Sequence, residues 1–116
     1  MDLQQLRDIG GLVSQTPVTK EITWTPPDKD GVAQEPVIFT VRVKKLSFGM
    51  VERMWAVDIE DRSNMATVVS ASILLGTEGE ERFSYEDAFQ LEPGLARSLM
   101  TAIGEVNGTG AAAAKN

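Results

Sequence analysis

"RSNMATVVSASILLG", residues 62–76, decides how much of this chain is helix. Thr67, Val68 and Val69 branch at Cβ and favour extended backbone. Met65, Val68 or Val69, Ser72 and Ile73 recur instead at helical spacing, and Gly76 supplies a stop. The two periods compete over 63–75, and the helical one is preferred, giving a helix closed by Gly76. Its small residues Ser70, Ala71 and Ser72 let another backbone come close, either the last helix of the same chain or a second subunit.

Downstream, "TEGEERF" reads as a polar turn. Ser84, followed three residues later by Asp87, has the spacing of a capping box, and Glu86 and Asp87 sit where the helix dipole favours acids. That starts a short helix carrying Ala88 and Phe89 and stopping near Leu91-Glu92. Pro93 has no amide to lose and suits the first turn of a final helix. Leu95, Leu99, Ile103 and Val106 line one stripe of it, widened by Ala96, Met100 and Ala102, and Asn107-Gly108 supply a left-handed stop. Residues 109–116 hold no apolar side chain larger than alanine and are expected to be a disordered tail.

Upstream, "VTKEITWT" alternates, with Val18, Ile22 and Trp24 on one face; "VIFTVRVK" repeats the pattern with Val37, Phe39, Val41 and Val43 inward and Ile38, Thr40, Arg42 and Lys44 outward. The two should pair antiparallel across a long loop whose prolines lack donors and whose Asp30-Gly31 favours a turn. Asp28 and Asp30 before Gly31 have some of the look of a calcium loop, but Pro26 and Val37 stand where that loop needs acids, so no calcium site is assigned. Ser47 can cap a helix from Phe48 with Val51, Met54 and Trp55 on a stripe that Met50 and Val57 widen, expected to lie on the hairpin as core. Residues 2–14 give a short helix with Leu3, Leu6, Ile9 and Val13 on one side, weakened at Gly10-Gly11 by about 1 kcal/mol per glycine. It either packs on the core as a terminal helix or serves as a docking arm for a neighbouring subunit.

The fold expected is therefore α+β: an N-terminal β-hairpin, about four α-helices and a disordered C-terminal tail. Residues 1–108 form one domain, with an arm at 1–17, the hairpin at 18–45 and a helical part at 47–107, followed by a flexible tail at 109–116.

Composition then narrows function. The formal charge is −6, a field that repels nucleic acid and anionic membranes. The start "MDLQQLRDIGGLVS" has an acid at position 2 and no long apolar core, and no run of about 18 apolar residues could span a bilayer. The chain has no cysteine and no histidine. Thiol nucleophiles, Ser-His-Asp and Cys-His arrangements, and His-ligated zinc are thus excluded, and no phosphate or dinucleotide motif is present. Neither a catalytic residue nor a cofactor is assigned. Nothing requires an oxidising compartment, so the cytoplasm is the expected location.

The order of features from Val37 to Gly108 resembles the tail assembly chaperones of long-tailed bacteriophages. The residues that carry the resemblance are "VIFTVRVKKLSF", "SASILLGTEGEERFSYEDAFQL" and "LARSLMTAIGEVNG". The span from Val37 to Gly108 covers about two-thirds of the chain, and residues 72–108 look closest. The resemblance implies a non-enzymatic scaffold in the host cytoplasm that coats the tape-measure protein, associates weakly with itself, and recruits tail-tube subunits through a longer, frameshifted form. It also implies that the gene can end at a slippery run. Lys115-Asn116 can be written AAA-AAC, and the Gly-Ala stretch before it would then be a hinge into the longer product. Exposure logic nominates Leu3, Leu6, Ile38, Ala96 and Met100 as partner contacts. Two other readings stand beside this one. One is a structural tube or connector protein of the particle; the other is a hydrolase using Asp58, Glu60 and Asp61 or Glu78, Glu80 and Glu81, acid runs of a kind that is usually solvated surface.

Overall fold

The computed structural model describes residues 1–56 and 63–108, apart from the side chains of 54–56. In chain order the elements are α1 (Leu3–Asp8), β1 (Val18–Trp24), β2 (Val37–Val43), α2 (Phe48–Ala56), α3 (Asn64–Ser72), β3 (Ile73–Leu75), β4 (Glu81–Arg82), α4 (Tyr85–Phe89) and α5 (Pro93–Asn107). The four strands form one antiparallel sheet in the order β1-β2-β3-β4.

The expected hairpin is present. Val18 stands opposite Val43 and Trp24 opposite Val37, so each alternating apolar set shares one face. Ile22, Val41 and Val43 on that face are buried, while Val37, at the loop end, is exposed, because the sheet outruns its cover there. In the connecting loop Asp30 and Gly31 both take positive φ, and Lys29 and Val32 exchange two backbone hydrogen bonds around them. This is the turn the Asp-Gly pair favours.

The competition over 63–75 is split rather than won. Asn64–Ser72 is helix, but Ile73–Leu75 leaves it and becomes a strand. A helix carrying Ile73, Leu74 and Leu75 in succession would aim them about 100° apart, and one flank could not cover all three. As a strand, Ile73 faces the core and is fully buried, and Leu74 is buried on the other face between Arg42 and Arg82 of the neighbouring strands. The unpaired edge of β2 supplies the ladder, and Ser72 C=O accepts from Lys44 N–H at 2.8 Å just beyond it. Gly76 consequently opens the β3–β4 turn instead of capping a helix. It sits at φ +88°, where a Cβ would stand 2.7 Å from the Glu80 carboxylate. The "polar turn" also contains β4, so the expected hairpin of two strands is a sheet of four.

α5 lies along the covered face of β1 and β2 and presents Leu99, Ala102 and Ile103 to Ile22, Val41, Val43, Val69 and Ile73. Gly108 takes the left-handed conformation expected of the stop, at φ 70°. Asn107 does more than stop the helix: its Oδ1 accepts from Leu46 N–H at 2.7 Å, tying the exit of β2 to the end of α5. Two polar contacts fix the strand's direction along the helix. Trp24 Nε1–H donates to Glu92 at 2.7 Å near the start of α5, and Lys20 meets Glu105 at 3.8 Å near its end.

Two expectations about the helices fail. α2 is capped as expected, with Ser47 Oγ accepting from Met50 N–H, but it packs beside α3 rather than on the hairpin, and its Val51 and Phe48 are exposed. The covered face of the hairpin is already occupied by α5. The Met54, Trp55 and Val57 part of that stripe lies outside the described side chains. α1 is shorter than 2–14, ending at Asp8, and none of its residues is buried, so it is not a terminal helix packed on the core. The tail at 109–116 lies outside the described residues.

Candidate partner-binding surfaces

Three capped helices, α3, α4 and α5, enclose an apolar concavity. Ser63 caps α3, accepting from Ala66 N–H at 3.2 Å, while its own N–H donates to Tyr85 Oη at 2.7 Å, which ties α3 to α4. Ser84 caps α4 through Asp87 N–H, as its spacing predicts. Glu92 caps α5, its Oε2 accepting from both Leu95 N–H and Trp24 Nε1–H. Those bonds, the Leu95 amide first, then the Gly94 amide and the Trp24 indole, together with nearby Arg97, hold the Glu92 carboxyl below its ordinary pKa.

Between these helices lies a groove of about 430 Å³ whose lining includes Met65, Val69, Ala88, Phe89, Ala96 and Met100. The lining combines small side chains, Ala66, Ala88 and Ala96, with the flexible Met65 and Met100 and the flat ring of Phe89. Met65 is 63% exposed and Phe89 60% exposed at its mouth. Among the described residues Arg97 is the only charged one in the lining. Such a surface offers shape and apolar area, and among the described residues no set of groups converges in it for bond-making.

The nominated residues fall into three places. Ala96 and Met100 are half-buried in the groove. Ile38 is exposed on the open face of the sheet, opposite Thr23. Leu3 and Leu6 are exposed on α1, with Ile9 at its end. Met65 and Phe89 were not nominated, although they dominate the groove mouth. Nothing in the sequence singles out either one, and only the packing of α3 against α4 shows which side of each remains uncovered.

The acidic runs lead elsewhere. Glu78, Glu80 and Glu81 lie in or beside the β3–β4 turn, where Glu80 accepts from Glu78 N–H at 2.8 Å and is committed to its own loop. Asp58, Glu60 and Asp61 lie outside the described residues. Among the described residues no three acids converge as a metal-holding group.

The chain matches a family described as phage tail assembly chaperone, TAC, over residues 4–107. The chain belongs to that family. The resemblance drawn from residues 37–108 therefore holds and extends upstream through the hairpin to α1. The family is one of assembly chaperones rather than enzymes. No curated protein and no solved structure matches the chain. No helix among the described residues is long and apolar enough to cross a membrane.

Proposed function

We propose that this tail assembly chaperone works without catalysis in the host cytoplasm, binding the tape-measure protein and keeping it soluble until tail-tube subunits enclose it. A longer product, made by frameshifting, is proposed to recruit those subunits. The observation that carries the reading is the extent of the family match, 4–107, which takes in the groove, the open face of the sheet and the exposed arm together. Exposed apolar side chains at Met65, Phe89, Ile38, Leu3 and Ile9 give a long apolar partner several weak footholds instead of one deep pocket. Weak contacts suit a chaperone that must later let go.

Co-expression with the adjoining tape-measure gene tests this. The long protein should partition to the soluble fraction only when the chaperone is present; equal solubility without it would end the proposal. The long hairpin is also compatible with a tube or connector protein. Peptide counting on purified particles separates the two, since abundant peptides from residues 1–108 in finished tails would favour the structural part.

A further inference from the structure

We propose that Asn107-Gly108 is a deamidation site held shut by the fold, and that its conversion to aspartate loosens the exit of β2 from the end of α5. This is chemistry of the chain's own staple and does not depend on the assembly-chaperone reading.

Asn107 is followed by glycine, whereas Asn64 is followed by methionine. With no Cβ on Gly108, its backbone nitrogen is the least hindered nucleophile that a following residue can offer to an asparagine side chain. That nitrogen gives up its proton and bonds to Cγ of Asn107, and the side-chain nitrogen leaves as ammonia. Water then breaks one of the two C–N bonds of the resulting five-membered imide. One opening yields aspartate; the other yields isoaspartate, in which the backbone runs on through the side chain. One water enters and one ammonia departs.

Hydrogen bonds on both reacting groups oppose the first step. Asn107 Oδ1 accepts from Leu46 N–H at 2.7 Å and Nδ2 donates to Ile103 C=O at 3.0 Å, so the carboxamide must leave both partners to swing back onto the Gly108 nitrogen. Gly108 N–H donates to Gly104 C=O, which engages the proton that has to come off. Burial does not supply the protection, since Gly108 is exposed and Asn107 only half-buried. The site is shut by conformation, and it reacts when the last turn of α5 opens.

The product cannot rebuild the staple. An ionised aspartate still accepts from Leu46 N–H, but it has no donor for Ile103 C=O or for Lys44 C=O, which lies 3.5 Å from Asn107 Nδ2. It also puts a negative charge at the C-terminal end of a helix, where the dipole opposes it. Isoaspartate adds a methylene to the backbone just before Gly108 makes its left-handed turn at φ 70°. Either product leaves the connection from β2 to α2 less firmly held on α5.

The test incubates the purified full-length chain at one mildly alkaline pH and temperature, folded in one arm and unfolded in urea in the other. Peptide mapping by mass spectrometry reads the amide-to-acid mass gain, with Asn64 as internal control. In urea Asn107 should convert well ahead of Asn64, and in the folded chain at least about tenfold more slowly, because the folded site reacts only through local opening. Leu46→Pro removes the N–H that Asn107 accepts and leaves the Asn-Gly pair intact; with a native circular dichroism spectrum, it should deamidate well above the folded wild-type rate. Should that variant not fold, the wild type in rising urea should show the rate climbing before global unfolding begins. Equal folded and unfolded rates would overturn the protection. A folded rate that is unmoved in Leu46→Pro, or that only tracks the globally unfolded fraction, would overturn the staple as its cause. Deamidated chain, separated by its added charge, should unfold at lower urea than its parent, and an equal midpoint would overturn the loosening.

Discussion

α1 and α5 carry the same kind of apolar stripe and meet opposite fates. Leu99 and Ile103 of α5 are sealed between the sheet and α3, while Leu3 and Leu6 of α1, and Ile9 just past its end, face solvent. Periodicity says that a helix has a side to cover. It does not say that the same chain supplies the cover. α5 finds a sheet face of matching length beside it and is held there by Trp24, Lys20 and Asn107, whereas α1 is separated from the body by nine residues, 9–17, that include Gly10-Gly11.

The contrast breaks most easily at Leu99, 1% exposed at the centre of the core. Leu99→Ala should cost about 2–5 kcal/mol in chemical denaturation, the usual range for emptying a core leucine. Leu6→Ala on the arm should stay within about 0.5 kcal/mol, as surface changes do. Equal losses at the two sites would show that α1 packs on its own body after all.

Asn107→Ala sharpens the account of why α5 is anchored. It removes the acceptor of Leu46 N–H and the donor to Ile103 C=O, and should destabilise by about 1–3 kcal/mol, because a partly buried amide is left without its partner. A negligible change would mean that the β2 exit does not depend on this staple.

Acid should weaken the cap of α5. The folded Glu92 carboxyl titrates below its ordinary pKa, so the unfolded chain binds its proton more readily. Its stabilisation is then complete above the ordinary carboxylate range and is lost as pH falls through the depressed folded value. Glu92→Gln should flatten that acid limb of the stability curve and leave neutral pH less affected than Asn107→Ala does. An unchanged limb would show that the cap contributes nothing measurable.

The smallest effect is expected at Ser72, fully buried with a hydroxyl that has no hydrogen-bond partner among the described residues. Ser72→Ala should be neutral or slightly stabilising in the same denaturation experiment, since an unpaired buried hydroxyl costs more than it returns. A loss above about 1 kcal/mol would reveal a bond made by that hydroxyl in solution.

Where one segment's own residues fixed its conformation, the sequence was legible. The capping serines at 47 and 84, Pro93 at the first turn of α5, Asp30-Gly31 in the loop and the alternation of the long hairpin are interactions within a few residues, and they form as their spacing predicts. Of the nominated surfaces, Ala96 and Met100 could be found because they flank the buried stripe of α5. Met65 and Phe89 could not, because nothing local distinguishes an apolar residue awaiting a neighbour in the chain from one left open.

By itself, the sequence determined the chemistry that is missing, the helix starts, the pairing of β1 with β2 and the buried side of α5. Only the tertiary structure decided that Ile73–Leu75 is strand, that Glu81 and Arg82 complete a four-stranded sheet, that α2 leans on α3, and that the apolar side of α1 faces outward. The reason is range. Caps, turns and alternation are settled over distances the chain's own neighbours span, but a strand of three residues exists only if another edge offers it hydrogen bonds, and a stripe is buried only if something distant arrives to cover it.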